Sequence, residues 1–243
     1  MVARIESGLP EKKLLFKILT FPSMKPIGIF LSGCGYQDGT DIWEAVLLYY
    51  FLEQRKIKTV FFSSPPINSQ KNSSSEKTSL PHQDFFSKTA MLVRGNLKEL
   101  KETGSDTLSA LILTGGEGIL KNFTQSEEKN PILKVDPELK KFIREIYRRK
   151  KPIAACGVAS VVLASCLKDL VDSPPTLTSG NDPELSSQLE KMGVNHVITK
   201  ASEAVIDSEN RLVTTPGSQI KANISDLGTG LNNLIDGILE LTK

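Results

Sequence analysis

Cys156 lies in the segment of the chain that is best suited to chemistry. The apolar residues 153–155 predict a short buried strand, Cys156 stands at its end, and small residues after it lead into a second apolar run. A nucleophile at such a strand-to-helix corner is held clear of the backbone, beside N–H groups that can stabilise an oxyanion. The alternative is that Cys156 is a small packed apolar residue, which is the common role of a free cysteine.

Glu44 is the second residue with chemical potential. It follows a glycine-rich loop at residues 32–39 and lies in the first turn of a helix predicted over residues 42–53. The run Asp41-Ile42-Trp43-Glu44 has the pattern of a capping box, in which the glutamate turns back to the cap. A carboxyl beside a thiol can instead shuttle a proton, or donate a hydrogen bond to the thiolate. The two roles partly exclude each other, because a carboxylate turned to its own cap cannot reach a thiol.

The elements that must position these residues alternate between strands and helices. Strands are predicted at residues 26–31, 58–62, 108–113, 153–156 and 194–199, with a hairpin at 204–207 and 211–215. Helices are predicted at residues 42–53, 84–93, 136–150, 159–167, 182–192 and 218–241. This order indicates βαβ units, and therefore an α/β fold with a mostly parallel sheet and helices on both faces. The reactive crevice of such sheets lies at the carboxyl ends of the strands. We therefore expect the loop after the first strand, the Gly115-Gly116 loop and the Cys156 corner to meet there.

The remaining segments predict one domain. Residues 63–83 are rich in Ser, Pro, Asn and Lys and predict a surface loop, and residues 121–133 also predict a loop. The chain shows neither an internal repeat nor a second core. We therefore expect a single domain at residues 25–243, preceded by an N-terminal extension at residues 1–24.

Composition excludes several function classes. The net charge is +2, from 30 basic and 28 acidic residues, which gives no reason to expect nucleic acid or an acidic membrane as a partner. The three cysteines (Cys34, Cys156, Cys166) and two histidines have no metal-ligand spacing, so neither a disulfide scaffold nor a metal site is expected. No apolar run reaches the roughly 18 residues of a membrane span. These features favour a cytoplasmic protein, although the basic-apolar residues 11–21 leave organelle targeting open.

Several segments resemble the ElbB family of the PfpI-like, class I glutamine-amidotransferase-like superfamily. They are Ile27 through Gly35, Asp38-Gly39, Trp43-Glu44-Ala45-Val46, Arg94-Gly95, residues 110–116, Lys121-Asn122, residues 151–156, residues 192–197 and Val213-Thr214-Thr215-Pro216. The resemblance covers residues 25–243 in order. It implies a flavodoxin-like three-layer sandwich with a cysteine elbow, often assembled as a homo-oligomer. Members of the family are linked to glyoxalase activity or to isoprenoid biosynthesis.

The resemblance also implies roles for individual residues. Cys156 maps onto the elbow nucleophile, and Glu44 maps onto the glutamate that hydrogen-bonds it. The N–H groups of Gly116 and Gly157 would be the oxyanion donors, although these glycines could equally serve only to permit tight turns. Independently of the resemblance, Cys34 is a candidate resolving cysteine for redox sensing, because its loop is expected to end near the same crevice; the alternative is a packed loop residue.

Three positions depart from the family pattern. Trp43 stands where the family usually has His, which removes an acid/base group. Glu117 stands where it usually has Phe, and a second carboxylate near the thiol would raise the thiol pKa. Gly157-Val158-Ala159 replaces a typical Ile-Ala-Pro run.

The first functional hypothesis is a cofactor-free, cysteine-dependent enzyme of the glyoxalase III type, acting on a small aldehyde such as methylglyoxal or glyoxal. The second is a non-catalytic protein that senses redox state or binds a metabolite or a protein. Glutamine hydrolysis is the third and weakest, because His196 is followed by Val197 and Ile198 rather than by a glutamate two residues on. The other histidine, His82, falls in the polar loop, where a side chain is exposed by default.

Overall fold

The structure of the protein, a computed structural model, describes residues 24–35, 37–67, 82–127 and 130–243. These residues form seven helices: α1 (Ile42–Gln54), α2 (His82–Met91), α3 (Gly118–Phe123), α4 (Pro137–Arg148), α5 (Ala159–Leu167), α6 (Pro183–Lys191) and α7 (Ile224–Leu241). They also form eleven strands: β1 (Ile27–Phe30), β2 (Thr59–Ser63), β3 (Leu97–Glu99), β4 (Ala110–Leu113), β5 (Thr124–Glu127), β6 (Asn130–Val135), β7 (Ile153–Cys156), β8 (Thr176–Leu177), β9 (Asn195–His196), β10 (Val205–Asp207) and β11 (Leu212–Thr215).

Seven of the strands build one central sheet in the order β10-β11-β7-β4-β1-β2-β3. Every neighbouring pair is parallel except β10 and β11, which form an antiparallel hairpin at one edge. Helices α1 and α7 cover one face, and helices α3 to α6 cover the other. The predicted α/β architecture with a flavodoxin-like sandwich and a hairpin near the C-terminus is therefore confirmed.

The two-residue period of the strands decides which layer each side chain enters. In β7, Ile153 and Ala155 join the core under α4 and α5, whereas Ala154 and Cys156 join the core under α1 and α7. Cys156 therefore points at the layer that contains α1, the helix of Glu44. This parity brings the two candidate residues to one face of the sheet.

Several sequence predictions need correction. Residues 121–133 are not a loop: they contain the end of α3 and most of the β5–β6 hairpin. The last helix begins at Ile224 rather than at residue 218, because Asn223 caps it by accepting a hydrogen bond from the Asp226 N–H. The strand predicted at 194–199 is only Asn195–His196. Most of the predicted 63–83 loop lies outside the described residues, as does the extension before Met24.

The longest apolar helix is α7, which packs its apolar stripe against the sheet. No helix within the described ranges combines the length and the apolar character needed to cross a bilayer.

Candidate functional site: a buried cysteine and carboxyl pair

The corner after β7 joins a buried strand to a buried helix. All four residues of β7 are buried, and all nine residues of α5 are buried as well. A helix that is buried on every side lies inside the protein, and the chain turns sharply between this helix and β7. Gly157 makes this turn with φ +52°, in the left-handed region that a residue without Cβ adopts most easily. The strand-to-helix corner predicted at Cys156 is thus present in the fold.

Glu44 lies on the inward face of α1, at helical spacing with Leu48 and Leu52. Asp41 caps the helix, and its carboxylate accepts a hydrogen bond from the Glu44 N–H at 3.0 Å. The second half of a capping box is missing, because the Asp41 N–H donates to the Gly115 carbonyl instead. The Glu44 side chain is therefore released from its cap and turns into the protein.

Both carboxylate oxygens of Glu44 are held by main-chain donors. The Gly115 N–H, after β4, donates to Oε2 at 2.7 Å, and the Ser218 N–H, after β11, donates to Oε1 at 2.8 Å. The side chain is only 1% exposed. Burial is the largest effect on its ionisation and, together with the charge of Asp41, raises the pKa of Glu44 to about 7 despite the two donors. Glu44 can therefore give or take a proton near neutral pH.

The Cys156 thiol is fully buried and lies against this carboxyl. Burial, followed by the charge of Glu44 and a hydrogen bond with it, raises the pKa of the thiol well above its ordinary value, and the Gly115 N–H only partly opposes this. At neutral pH the sulfur is therefore protonated. The resting protein therefore contains no Cys156 thiolate. The sulfur can act as a nucleophile only if a base removes the thiol proton as the sulfur attacks.

Of the two predicted oxyanion donors, one N–H group is already hydrogen-bonded to the main chain and the other, among the described residues, is not. The Gly157 N–H donates to the Thr215 carbonyl at 2.8 Å, so it is not available to a ligand, and this prediction needs correction. The reason is the register of β11, which stays paired with β7 as far as Thr215 and Cys156. The Gly116 N–H has no hydrogen-bond partner within the described parts of the chain and stays a candidate donor.

No hydrogen bond joins the candidate accessory residues, Cys34 and Glu117, to the sulfur within the described structure. Cys34 is half-buried in the loop after β1, where its segment pairs with Thr40, and no contact with Cys156 is found in the described structure. Glu117 is half-buried at the start of α3, where its side chain makes no capping hydrogen bond. Trp43 is 54% exposed and points away from the site that Glu44 enters.

His196 makes no hydrogen bond with Glu44 or Cys156 in the described structure. His196 is half-buried in β9, where its Nε2 accepts a hydrogen bond from the Ser179 N–H at 3.3 Å. Burial lowers the pKa of His196. His82 begins α2, and its side chain lies outside the described residues.

Sequence reasoning missed Gly217 and Ser218, which border the Glu44 carboxyl. The signal that could have found them is Asn223, which caps the final helix and leaves residues 218–222 outside it. Gly217 to Gln219 instead form a short 3₁₀ turn after β11.

The raised pKa of Glu44 predicts how stability depends on pH. In the unfolded chain the carboxyl loses its proton near its ordinary pKa of 4.5, whereas the folded protein keeps the proton until about 7. Between these values the unfolded state binds fewer protons, so the free energy of unfolding falls as pH rises, and it levels off above 7. We expect a fall on the order of 3 kcal/mol relative to Glu44→Gln across this window. Urea unfolding of both proteins at closely spaced pH values measures it, and parallel curves would contradict the raised pKa.

The sheet order, the cysteine elbow and the buried glutamate define a class of protein: the chain has the fold shared by DJ-1/ThiJ/PfpI and class I glutamine-amidotransferase-like proteins. The solved structure of an isoprenoid biosynthesis protein with an amidotransferase-like domain from Ehrlichia chaffeensis is similar, with TM-score 0.76 and 25% identity over 90% of this chain and 99% of that one. Drosophila melanogaster DJ-1beta is similar in fold alone, with TM-score 0.52 and 17% identity over 90% of this chain and 95% of that one.

The proteins to which the chain is similar in sequence include mitochondrial ES1 proteins. The chain is 25% identical to the mitochondrial ES1 protein homolog of Rattus norvegicus, over 89% of this chain and 84% of that protein. It is 24% identical to the mitochondrial glutamine amidotransferase-like class 1 domain-containing protein 3 of Homo sapiens, over 89% and 83% respectively. The chain matches no family model. The superfamily is therefore supported, and membership of the ElbB family itself stays a prediction.

Proposed function

We propose that the protein is a cofactor-free, cysteine-dependent enzyme that converts a small 2-oxoaldehyde such as methylglyoxal into the 2-hydroxy acid. The observation that carries the proposal is the Glu44 carboxyl, which has a pKa of about 7 and lies against the Cys156 thiol at the strand-to-helix corner. A group that titrates near the operating pH is well suited to both removing and returning protons.

The first step is addition of the thiol to the aldehyde. As sulfur attacks the aldehyde carbon, the Glu44 carboxylate takes the thiol proton, the C–S bond forms, and the carbonyl electron pair moves to oxygen. Glu44 then returns the proton to that oxygen, which completes the hemithioacetal and restores the carboxylate. Because the pKa of Cys156 is raised, this base is what makes the sulfur nucleophilic. Gly116 is the proposed N–H donor to the developing oxyanion.

The second step moves a proton between carbons. The Glu44 carboxylate removes the C1 hydrogen of the hemithioacetal as a proton and returns it to C2. The proton of the C1 hydroxyl passes to the former ketone oxygen, so that C2 becomes an alcohol and C1 becomes a thioester carbonyl. Water then cleaves the thioester and restores the thiol. The overall reaction adds one water to the substrate and needs no external oxidant or reductant.

Lactate formation from methylglyoxal by the purified protein tests this proposal. Turnover no greater than that of Cys156→Ala would contradict it. The fully buried sulfur requires the residues that cover it, among them Gly217, to move before substrate can reach it.

The human relative is named glutamine amidotransferase-like. The geometry of this chain nevertheless disfavours glutamine hydrolysis. That chemistry uses a histidine to deprotonate the cysteine. The ring nitrogen Nε2 of His196 is engaged with Ser179, and no histidine side chain of the described residues touches the thiol.

The redox-sensing hypothesis and the enzyme hypothesis predict different rates of alkylation for the Cys156 thiol. Because Cys156 is buried and its pKa is raised, we expect iodoacetamide at pH 7 to modify the half-buried Cys34 first and Cys156 only slowly. The Cys156 rate should rise with pH beyond the range of an ordinary thiol, since the thiolate is the reacting species. Mass spectrometry of digested samples measures both rates. Faster modification of Cys156 than of Cys34 would indicate a stored thiolate and would favour the sensing role.

Two further sequence predictions stay proposals. The cytoplasmic location competes with an organelle location, which the mitochondrial names of the rat and human relatives favour.

A homo-oligomer is favoured by the outer face of α1, where Ile42, Trp43, Val46 and Tyr50 are each about half exposed.

A further inference from the structure

The Glu44 carboxyl is held from two distant loops, one oxygen each. The Gly115 loop was expected at the site because it follows β4. The second donor, the Ser218 N–H, comes from a residue 174 positions away from Glu44 in the chain and reaches Oε1 at 2.8 Å. The orientation of the carboxyl therefore depends on the turn after β11 as much as on α1.

Gly217 leaves room for that orientation. Its φ is +55°, and a Cβ at this position would lie 2.3 Å from Oε1 of Glu44 and 3.2 Å from Cβ of Cys156. A side chain there would displace the carboxyl or the thiol. The turn after β11 thus packs directly on both members of the pair.

The Ser218 hydroxyl is a third potential donor to the carboxyl, beside the two N–H groups. Its Oγ is buried and makes no well-formed hydrogen bond within the described residues. It nevertheless lies close enough to the Glu44 carboxylate to lower the pKa of that group. A serine hydroxyl rotates to suit its acceptor. A rotation can therefore aim it at the Glu44 carboxylate when that group is charged.

We infer that Ser218 is the positioning residue of the site: its N–H fixes the Glu44 carboxyl against Cys156, and its hydroxyl stabilises the ionised form of that carboxyl. The catalytic consequence rests on the proposed function, whereas the effect on the carboxyl does not.

The other groups around Glu44 act in the opposite direction. Burial disfavours the charged form most strongly, and the carboxylate of Asp41 at the cap of α1 disfavours it further. From β7 the carboxyl faces the Cys156 thiol, which is neutral near pH 7. The donors that favour ionisation are the two N–H groups and the Ser218 hydroxyl. Loss of the hydroxyl must therefore raise the pKa of Glu44.

The test compares Ser218→Ala with Ser218→Thr, which restores a hydroxyl. Glu44 is titrated by the ¹³C chemical shift of its carboxyl, which is assigned by its loss in Glu44→Gln. We expect Ser218→Ala to raise the pKa of Glu44 by about 1, the effect of losing one hydrogen bond to a charged group, and Ser218→Thr to bring it back. Ser173→Ala, which removes the other buried unpartnered serine hydroxyl, is the matched control and should leave the titration unchanged.

Activity separates this inference from the proposed function. If the enzyme turns over methylglyoxal, the acidic limb of its kcat/KM profile should move up with the pKa in Ser218→Ala, and turnover at pH 7 should fall about fivefold. A shifted titration in a protein without turnover would leave Ser218 as the positioning residue and overturn the proposed reaction. An unshifted titration in Ser218→Ala would overturn the inference, whatever the activity.

Discussion

Cys156→Ala is expected to abolish lactate formation from methylglyoxal, with a loss of roughly three orders of magnitude or more. The reason is that the alanine methyl group cannot form the hemithioacetal, so every later step is lost with the first. The fold should persist, because the change removes one buried sulfur atom and costs about 1–2 kcal/mol of unfolding free energy. Lactate assays and urea unfolding of the same preparation measure the two effects.

Cys166→Ala is the matched control for this experiment. Cys166 is also fully buried, and burial raises its pKa to about 12, but it lies in the opposite core, on α5. It should lose a similar amount of stability and keep its turnover. Equal activity in the two variants would remove Cys156 from the mechanism and leave the elbow as a packing feature.

Glu44→Gln is expected to lower turnover by at least about a hundredfold, the usual contribution of a positioned general acid or base. The amide cannot take the thiol proton, and the raised pKa of Cys156 leaves no thiolate to react without it. The variant should also lose the acidic limb of its pH profile, which Glu44 sets near 7 in the wild type. Steady-state kinetics between pH 5 and 9 measure both changes.

The replacement has a structural cost that the control must account for. A glutamine side chain has one oxygen, so either the Gly115 or the Ser218 N–H would face an amide NH₂ group. That costs about 1–3 kcal/mol of stability and does not vary with pH. Glu117→Gln changes a carboxyl near the same loop without touching the pair, and it should keep wild-type kinetics. Wild-type turnover in Glu44→Gln would show that another group moves the protons.

The elbow itself could be predicted from local pattern. The sequence has a short apolar run that ends at Cys156, small residues after it, and then a helix in which serines are the only polar residues. This pattern favours a buried strand that turns directly into a buried helix. The alternation of strands and helices along the chain likewise predicted a parallel sheet whose carboxyl ends share one edge. These features depend on residues that are close in sequence, so they can be predicted from the sequence of one protein.

The role of Glu44 could not be chosen from its own segment. Its capping-box pattern was genuine, and half of the box forms. The other half fails because the Asp41 N–H finds the Gly115 carbonyl, which the fold of β4 brings beside the start of α1. A competing partner from another strand settled a choice that the local sequence left open.

Residues far apart in the chain decided the rest of the site. The Gly157 N–H pairs with Thr215, because β11 continues its parallel ladder to the last residue of β7. Ser218 meets Glu44 across 174 positions. Local sequence thus determined which side chains can do chemistry and the corner that presents the sulfur. Tertiary packing determined which donors are already paired and which hold the acid, because hydrogen bonds between distant loops form only once the sheet has set their register.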